Sequence, residues 1–307
     1  MDDGNPAVAT PPGSPHLLWA IKHHASPFGA AGAEKPQMTP DPSQIGDLLR
    51  EVAATEIMPR FHRILAERKA DGSLVTEADL ATQARLVEAI ARDFPSTPLL
   101  GEEMTRDDQQ RLLGEAETGV WILDPLDGTS NYACGFPGFA ISLAFVERGR
   151  ATLGVILDPV RDECFSAVLG GGAYLNGEPI HTASPGPTLG DCLAMIDMKR
   201  LPPERVPALF RSGGFRSQRN LGSVALDWSW LAAGRYQLYL HGGQKLWDYA
   251  AGRLIAKEAG AASRLYEGRG AAEAVTLSLS PRLAIAAADE TLMQQWLDFV
   301  NLPMTSV

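Results

Sequence analysis

The chain predicts a layered α/β fold in two subdomains, and three observations carry that expectation. Its 307 residues are enough for two subdomains around a large core. Two stretches of helical periodicity precede runs that read as adjacent strands, and short strands alternating with helices follow. A boundary at residues 183–190, marked by Pro185 and Pro187, divides the pattern. The expected organisation is a tail at 1–40, an α+β subdomain at 41–185 and an α/β subdomain at 186–307.

Residues 1–40 are rich in Pro, Gly and Ala, with little apolar periodicity, and read as a disordered tail. Their patch Leu17-Leu18-Trp19-Ala20 lacks the basic start and long apolar core of a signal peptide. His23-His24 reads as a solvated pair. Residues 43–66 read as a helix with Ser43 as N-cap, with Ile45, Leu48, Leu49, Val52 and Ile57 near one face and Pro59 as an interruption. Asp71-Gly72 suits a hairpin tip. Residues 77–92 read as a second helix, with Leu80, Ala84, Val87 and Ile90 or Ala91 on its apolar side.

Trp121 to Leu123 read as the end of a buried strand that Pro125 should stop. Residues 139–147 and 150–158 read as strands joined at Arg148-Gly149. Residues 163–169 continue that sheet to Gly170-Gly171-Gly172, and 173–180 form a hairpin around Asn176-Gly177. Further on, Trp247, Ala251, Leu254, Ile255 and Ala259 line one face of a helix that Gly260 stops. A last helix is expected at 290–300.

Composition narrows the function. A net charge of −10 argues against nonspecific binding to nucleic acid or anionic membranes. The lack of a basic, aromatic patch argues against direct RNA binding. Cys134, Cys164 and Cys192 have no metal-like spacing, and their odd number suggests no disulfide framework. Reduced thiols in a cytoplasmic protein are the expectation. No run is long enough to span a membrane.

Three segments carry the chemistry. In Leu123-Asp124-Pro125-Leu126-Asp127-Gly128-Thr129, two carboxylates three residues apart follow an apolar run. From one tight turn they can face a common point, and hard oxygen ligands suit Mg²⁺. Gly128 admits a close backbone approach, and a helix starting here would offer free N–H groups to a phosphate. Gly101-Glu102-Glu103 follows another strand end, and Trp247-Asp248-Tyr249-Ala250-Ala251-Gly252 opens a helix. Each alone has a plainer account: Asp-Pro and Asp-Gly mark turns, a glutamate pair at a strand end is solvated, and Asp248 caps its helix.

Together with Lys69-Ala70-Asp71-Gly72-Ser73-Leu74-Val75-Thr76-Glu77-Ala78-Asp79, these ordered blocks resemble the inositol monophosphatase family of Mg²⁺-dependent phosphatases. The resemblance runs from about Glu51 to about Ala261. It implies the α+β layered sandwich of inositol monophosphatases and fructose 1,6-bisphosphatases. It implies two to three Mg²⁺ per site: Glu102, Asp124 and the Leu126 carbonyl at a first metal, Asp124, Asp127 and Asp248 at a second, and Glu102 at a weaker third. Asp79 and Thr129 match a hydrogen-bonded pair that, with the metals, activates the attacking water. The amides of Gly128 and Thr129 would hold phosphate oxygens. The resemblance further implies a homodimer and lithium sensitivity.

The substrate side is less determined. The expected substrate is a small phosphorylated metabolite, inositol monophosphate-like. Relatives act on fructose 1,6-bisphosphate, adenosine 3′,5′-bisphosphate, histidinol phosphate and NADP, and some are binding partners of nucleic-acid machinery. Asn131-Tyr132 after Thr129 is closer to the inositol and sugar phosphatases than to the nucleotide branch. Ser223 and Val224 are candidates for contacts to substrate hydroxyls, with a loop and buried helix as the alternative. Seven residues before Asp248, where inositol-specific members carry Glu, stands His241. A neutral His accepts or donates one hydrogen bond where a carboxylate accepts several, which weakens the case for inositol 1-phosphate. His241 as a substrate contact and His241 as an incidental surface-loop residue both stay open. Gln244 and Lys245 are candidate readers of another hydroxylated or anionic leaving group.

Overall fold

The computed structural model describes residues 40–62, 66–68, 74–268 and 270–303. The expected tail up to residue 39, with His23-His24 and the Leu17 patch, and the Asp71-Gly72 tip lie outside the described residues. Helix α1 (Pro42–Val52) starts where Asp41 accepts the Ser43 N–H at 2.9 Å, and Pro42 suits the first helical position. Asp41, and not the expected Ser43, is therefore the N-cap. The helix does not continue to residue 66. It passes into a π turn at Ala53–Ile57 and ends before Pro59, which cannot extend the ladder.

Strands β1 (Ala66–Arg68) and β2 (Leu74–Thr76) pair antiparallel and lead into α2 (Glu77–Asp93). The buried face of α2 is Ala78, Asp79, Thr82, Leu86, Ala89 and Ile90, while Leu80 is 53% exposed. The face expected through Leu80 and Ala84 is thus rotated. Hydrogen bonding turns Asp79 inward: its carboxylate reaches back to the N–H and hydroxyl of Thr76 at 2.7 and 2.5 Å.

The chain continues through β3 (Leu99–Gly101), α3 (Arg106–Leu113), β4 (Val120–Asp127), α4 (Thr129–Ala133), β5 (Ala140–Glu147), β6 (Arg150–Asp158), β7 (Glu163–Val168), β8 (Ala173–Leu175) and β9 (Glu178–Ile180). Strands β3 to β9 form one sheet in chain order, with β3 parallel to β4 and every later pair antiparallel. Pro125 does not stop β4 as expected. The ladder to β5 breaks after Asp124–Ser142 and resumes at Asp127–Ala140. A proline has no N–H to pair, so the strand bulges instead of ending. The bulge matters for the site, because residues three apart in a regular strand face opposite ways.

The second sheet is made from β10 (Leu193–Asp197), β11 (Ser217–Arg219), β12 (Leu238–Gln244), β13 (Ala262–Glu267), β14 (Ala272–Glu273) and β15 (Arg282–Ala287), in the order β11-β10-β12-β15-β13-β14. Strands β11, β10 and β12 are parallel and the remaining pairs antiparallel. Helix α5 (Val224–Ala232) precedes β12, α6 (Leu246–Glu258) follows it, and α7 (Glu290–Val300) closes the described fold.

Both sheets belong to one compact unit, Pro40–Val307. Helices α1 and α2 pack Leu49 and Leu86 against Trp121, Leu143 and Val155 of the first sheet. On its other face Ile122, Ile156 and Phe165 share a core with Trp228 of α5, Leu254 and Ile255 of α6, and Tyr239 and Ala284 of the second sheet. Trp296 of α7 packs with Ile196, Leu240 and Ile285 on the far side. The result is a helix–sheet–helix–sheet–helix stack, and each fully buried Leu or Ile in it contributes roughly 1.5–3 kcal/mol. Helix α6, expected to bury one face, is buried nearly all round, at Leu246, Trp247, Tyr249, Ala250, Ala251, Leu254, Ile255 and Ala256. Among the described residues no helix is long and apolar enough to cross a membrane.

Candidate active site

The β4 bulge and the start of α6 bring Asp124, Asp127 and Asp248 together. One carboxylate oxygen from each lies within 4.8 Å of the others. Two hydrogen bonds fix the approach: Asp248 accepts the Lys245 N–H at 2.8 Å, and the Ser142 hydroxyl of β5 donates to the Trp247 carbonyl at 3.3 Å. Asp124 accepts the Leu126 N–H at 3.1 Å, which holds the bulge. Asp127 accepts the Ser223 hydroxyl at 2.5 Å and the Ala225 N–H at 2.7 Å, so the N-terminus of α5 grips it.

Glu102 follows β3, the parallel neighbour of β4, and its N–H donates to the Leu123 carbonyl at 3.1 Å. The buried Gln109 amide donates to the carbonyls of Gly101 and Glu102, each at 3.0 Å, and pins this corner. Glu102 is not one of the three clustered carboxylates, yet its charge acts on Asp79, Asp124, Asp127 and Asp248.

Burial first, and then the neighbouring carboxylates, push Asp124 and Asp248 well above the ordinary aspartate value. Burial also raises Asp127, but the Ser223 and Ala225 hydrogen bonds hold it to about 6. Asp79 is raised to about 6 by burial and by Glu102, against the Thr76 and Thr129 hydrogen bonds. Such a self-repelling set favours a cation of high charge density, and an all-oxygen donor set fits Mg²⁺ better than zinc.

Thr129 places its hydroxyl 3.1 Å from Asp79 Oδ1 and 3.0 Å from the Leu126 carbonyl. With one proton and two acceptors at hand, its own lone pairs face outward as acceptors. Gly128 has φ +90°, and a Cβ there would lie 2.7 Å from the Gly138 carbonyl, so only glycine fits the entry to α4. The first N–H groups of α4, Thr129 included, have no partner within the helix.

The substrate-side candidates fare differently. Ser223 is 1% exposed; its hydroxyl donates to Asp127 and accepts the Leu226 N–H at 3.3 Å, so its observed task is to position Asp127 and cap α5. Val224 is buried in the core shared with Trp228. Residues 239–245, one reading of which is a surface loop, are strand up to Gln244, and His241 is 2% exposed. Its Nδ1 accepts the Gly243 N–H at 3.2 Å and its Nε2 lies 3.3 Å from Asp197 Oδ2, so both ring nitrogens are used within the protein. Burial lowers the His241 pKa, which leaves the ring neutral with Nε2 as donor. Gln244, expected as a reader of the leaving group, is fully buried between the Trp228 indole N–H at 3.1 Å and the Tyr239 hydroxyl at 2.7 Å. Both ends of its amide are engaged within the core and none of it is exposed, which removes it from that role.

One residue escaped the sequence reading. Arg200 bonds Asp197 Oδ2 at 3.1 Å, and its positive charge lowers Asp127 and Asp248. The basic pair Lys199-Arg200 just after an apolar run was the available signal. Only the parallel pairing of β10 with β12 brings it near Asp248.

The profile of the Inositol monophosphatase family matches residues 44–298. A Nus factor SuhB of Xylella fastidiosa is 37% identical over 194 residues, covering 60% of this chain and 66% of that protein. Inositol monophosphatase 1 of Solanum lycopersicum is 37% identical over 201 residues, covering 62% and 72%. Among solved structures, the Thermotoga maritima IMPase superposes with a TM-score of 0.71 at 30% identity, covering 84% of this chain and 96% of that one. An IMPase/NADP phosphatase complexed with NADP and Ca²⁺ gives 0.72 at 25% identity, covering 86% and 97%.

Proposed function

The chain belongs to the inositol monophosphatase family, a phosphatase family, and from that premise we propose that it is a Mg²⁺-dependent phosphomonoesterase acting on a small phosphorylated metabolite. The observation that carries the reading is the cluster of buried Asp124 and Asp127 with half-buried Asp248, whose oxygens converge within 4.8 Å. Asp124, Asp127 and Asp248, with Glu102 and the Leu126 carbonyl beside them, would hold the metal ions. Bound Mg²⁺ neutralises the phosphate, acidifies a water and stabilises the leaving alkoxide.

The protein's own groups do the rest. The N–H groups of Gly128 and Thr129 orient the phosphate for in-line attack. Thr129, anchored on Asp79, accepts a hydrogen bond from the attacking water, and Asp79 is the terminal proton acceptor. Ser223 keeps Asp127 in place, and His241 keeps Asp197 in place. No covalent intermediate is required, so the cysteines have no task in the reaction. Cytoplasmic location and a homodimer belong to the same proposal.

An inositol monophosphate-like ester is the first substrate to test, followed by fructose 1,6-bisphosphate, adenosine 3′,5′-bisphosphate, histidinol phosphate and NADP. Phosphate release from this panel, with Mg²⁺ and with chelator, tests the reading. Metal-dependent release supports it. No release from any ester by folded, Mg²⁺-supplied protein overturns it and favours a second reading, a binding role beside nucleic-acid machinery. That alternative is consistent with the relatives named Nus factors.

A further inference from the structure

We propose that Arg200 selects phosphate esters whose leaving group carries a second anionic group. The inference rests on the phosphomonoesterase reading and deepens it.

The geometry begins at the ends of two parallel strands. Asp197, the last residue of β10, is in register with His241 of β12. Its carboxylate accepts the Lys199 N–H at 3.0 Å and the Arg200 guanidinium at 3.1 Å, and lies 3.3 Å from His241 Nε2. These bonds wind Met198–Arg200 into a 3₁₀ turn. The turn is pressed onto β12: a Cβ on Gly242 would stand 2.0 Å from the Arg200 carbonyl, so only glycine allows the approach. Arg200 is therefore anchored against the strand that runs into α6 and Asp248.

The orientation of its charge follows. Of the groups in this chain, His241 is buried and Asp197 is 11% exposed at its side chain, whereas the Arg200 side chain is 53% exposed. A guanidinium has five N–H donors, and Asp197 engages it through one nitrogen, Nη1. The remaining donors form a planar fork suited to phosphate or carboxylate. Strand β12 ends at Gln244 and runs through Lys245 into α6, so the turn that carries Arg200 sits at the strand end that leads to Asp248 and the carboxylate cluster. Asp197 itself would be raised by burial, but the His241 and Arg200 contacts bring it to about 2, so it stays ionised and holds the arginine. Where an inositol-reading site presents a carboxylate to hydroxyls, this chain buries a neutral histidine and turns a cation outward. A polyol gains little from that exchange, and a cationic leaving group such as histidinol is disfavoured.

The test uses matched pairs that differ only in the second anion: fructose 1,6-bisphosphate against fructose 1-phosphate, and adenosine 3′,5′-bisphosphate against adenosine 3′-monophosphate. Arg200→Gln keeps a donor for Asp197 and removes the charge. We expect the bisphosphate-to-monophosphate ratio of kcat/KM to fall about 10-fold or more, through the KM of the bisphosphate. Arg200→Lys should retain part of the ratio, and added salt should erode it in the parent protein. Calorimetric titration of the same esters gives the ratio without turnover. An unchanged ratio in both measurements, or equal losses on both members of each pair, overturns the assignment. Failure to hydrolyse any ester is a different result and sinks the phosphomonoesterase reading instead.

Discussion

Two neighbouring regions of the molecule, the carboxylate cluster and the ends of β10 and β12, are built on opposite principles. On the metal side, Asp124, Asp127 and Asp248 are brought together against their own repulsion, with few hydrogen bonds to share the charge. On the side of β10 and β12, buried polar groups are satisfied by one another: Gln244 by Trp228 and Tyr239, His241 by Gly243 and Asp197. The first arrangement stores a need for cations. The second holds a hydrogen-bonded wall from which Arg200 reaches out. A group left electrostatically unsatisfied in the folded chain is the one available to a ligand, whereas a saturated group is available only to its neighbours.

The sharpest way to break this contrast is Asp124→Asn. The change keeps shape and removes one charge. Activity should fall by on the order of 10³-fold, the scale of losing a strong electrostatic contact to the transition state. The chelated protein should melt higher than its parent, because burial and three like charges oppose the Asp124 carboxylate. Activity assays and thermal melts with chelator check both signs. A variant that loses activity and also melts lower would show that Asp124 is a structural residue.

Asp79→Asn should cost about 10²-fold in kcat, the usual scale of a general base. The measurement is a pH profile at saturating Mg²⁺. If Asp79 is the acceptor, the parent loses activity as the pH falls through the pKa of Asp79, which burial raises, and the variant lacks that limb. An identical profile in both proteins would remove Asp79 from proton transfer. Ser223→Ala probes positioning. It should weaken Mg²⁺ affinity about 10–100-fold, as loss of a partner behind a ligand does, with kcat recovering at high metal. Unchanged affinity would return Ser223 to the list of substrate contacts.

The same contrast explains what was legible in the sequence. The proposed ligand segments are local: a strand end or helix start and a carboxylate lie within a few residues, so Asp124, Asp127, Glu102 and Asp248 can be picked out as candidates from their neighbours. The β4 bulge was misread because Pro125 forbids one hydrogen bond but not the strand on either side of it. The face of α2 was misread because periodicity counts apolar residues, while Thr76 draws the polar Asp79 into the core and leaves Leu80 at the surface. Arg200 was legible only as one of a basic pair after an apolar run. Its meaning depends on Asp197, on His241 forty-four positions from it in sequence but in register with it, and on the sheet order that joins them. The burial that removes Gln244 from substrate reading is likewise a tertiary fact.

The smallest effect is also the most direct reading of the stored repulsion. Asp79 and Asp127 have folded pKa values of about 6, and Asp124 and Asp248 lie well above the ordinary aspartate value. For an acid whose folded pKa is raised, the contribution to stability is fully present below the unfolded value, about 3.9, and is lost as pH rises through the folded value. Metal-free protein should therefore lose stability as pH rises from about 4, the share of Asp79 and Asp127 being lost by about pH 6 and that of Asp124 and Asp248 continuing above it. Mg²⁺ binds the ionised carboxylates, so its affinity rises over the same window. The Mg²⁺-induced increase in Tm should be larger at pH 8 than at pH 5.5, by on the order of 5 °C. Groups far from the cluster titrate alike with and without metal and cancel in the difference. An increment equal at both pH values, or larger at pH 5.5, would mean that the carboxylates are already neutralised within the chain. The metal side would then be as self-contained as the wall it faces.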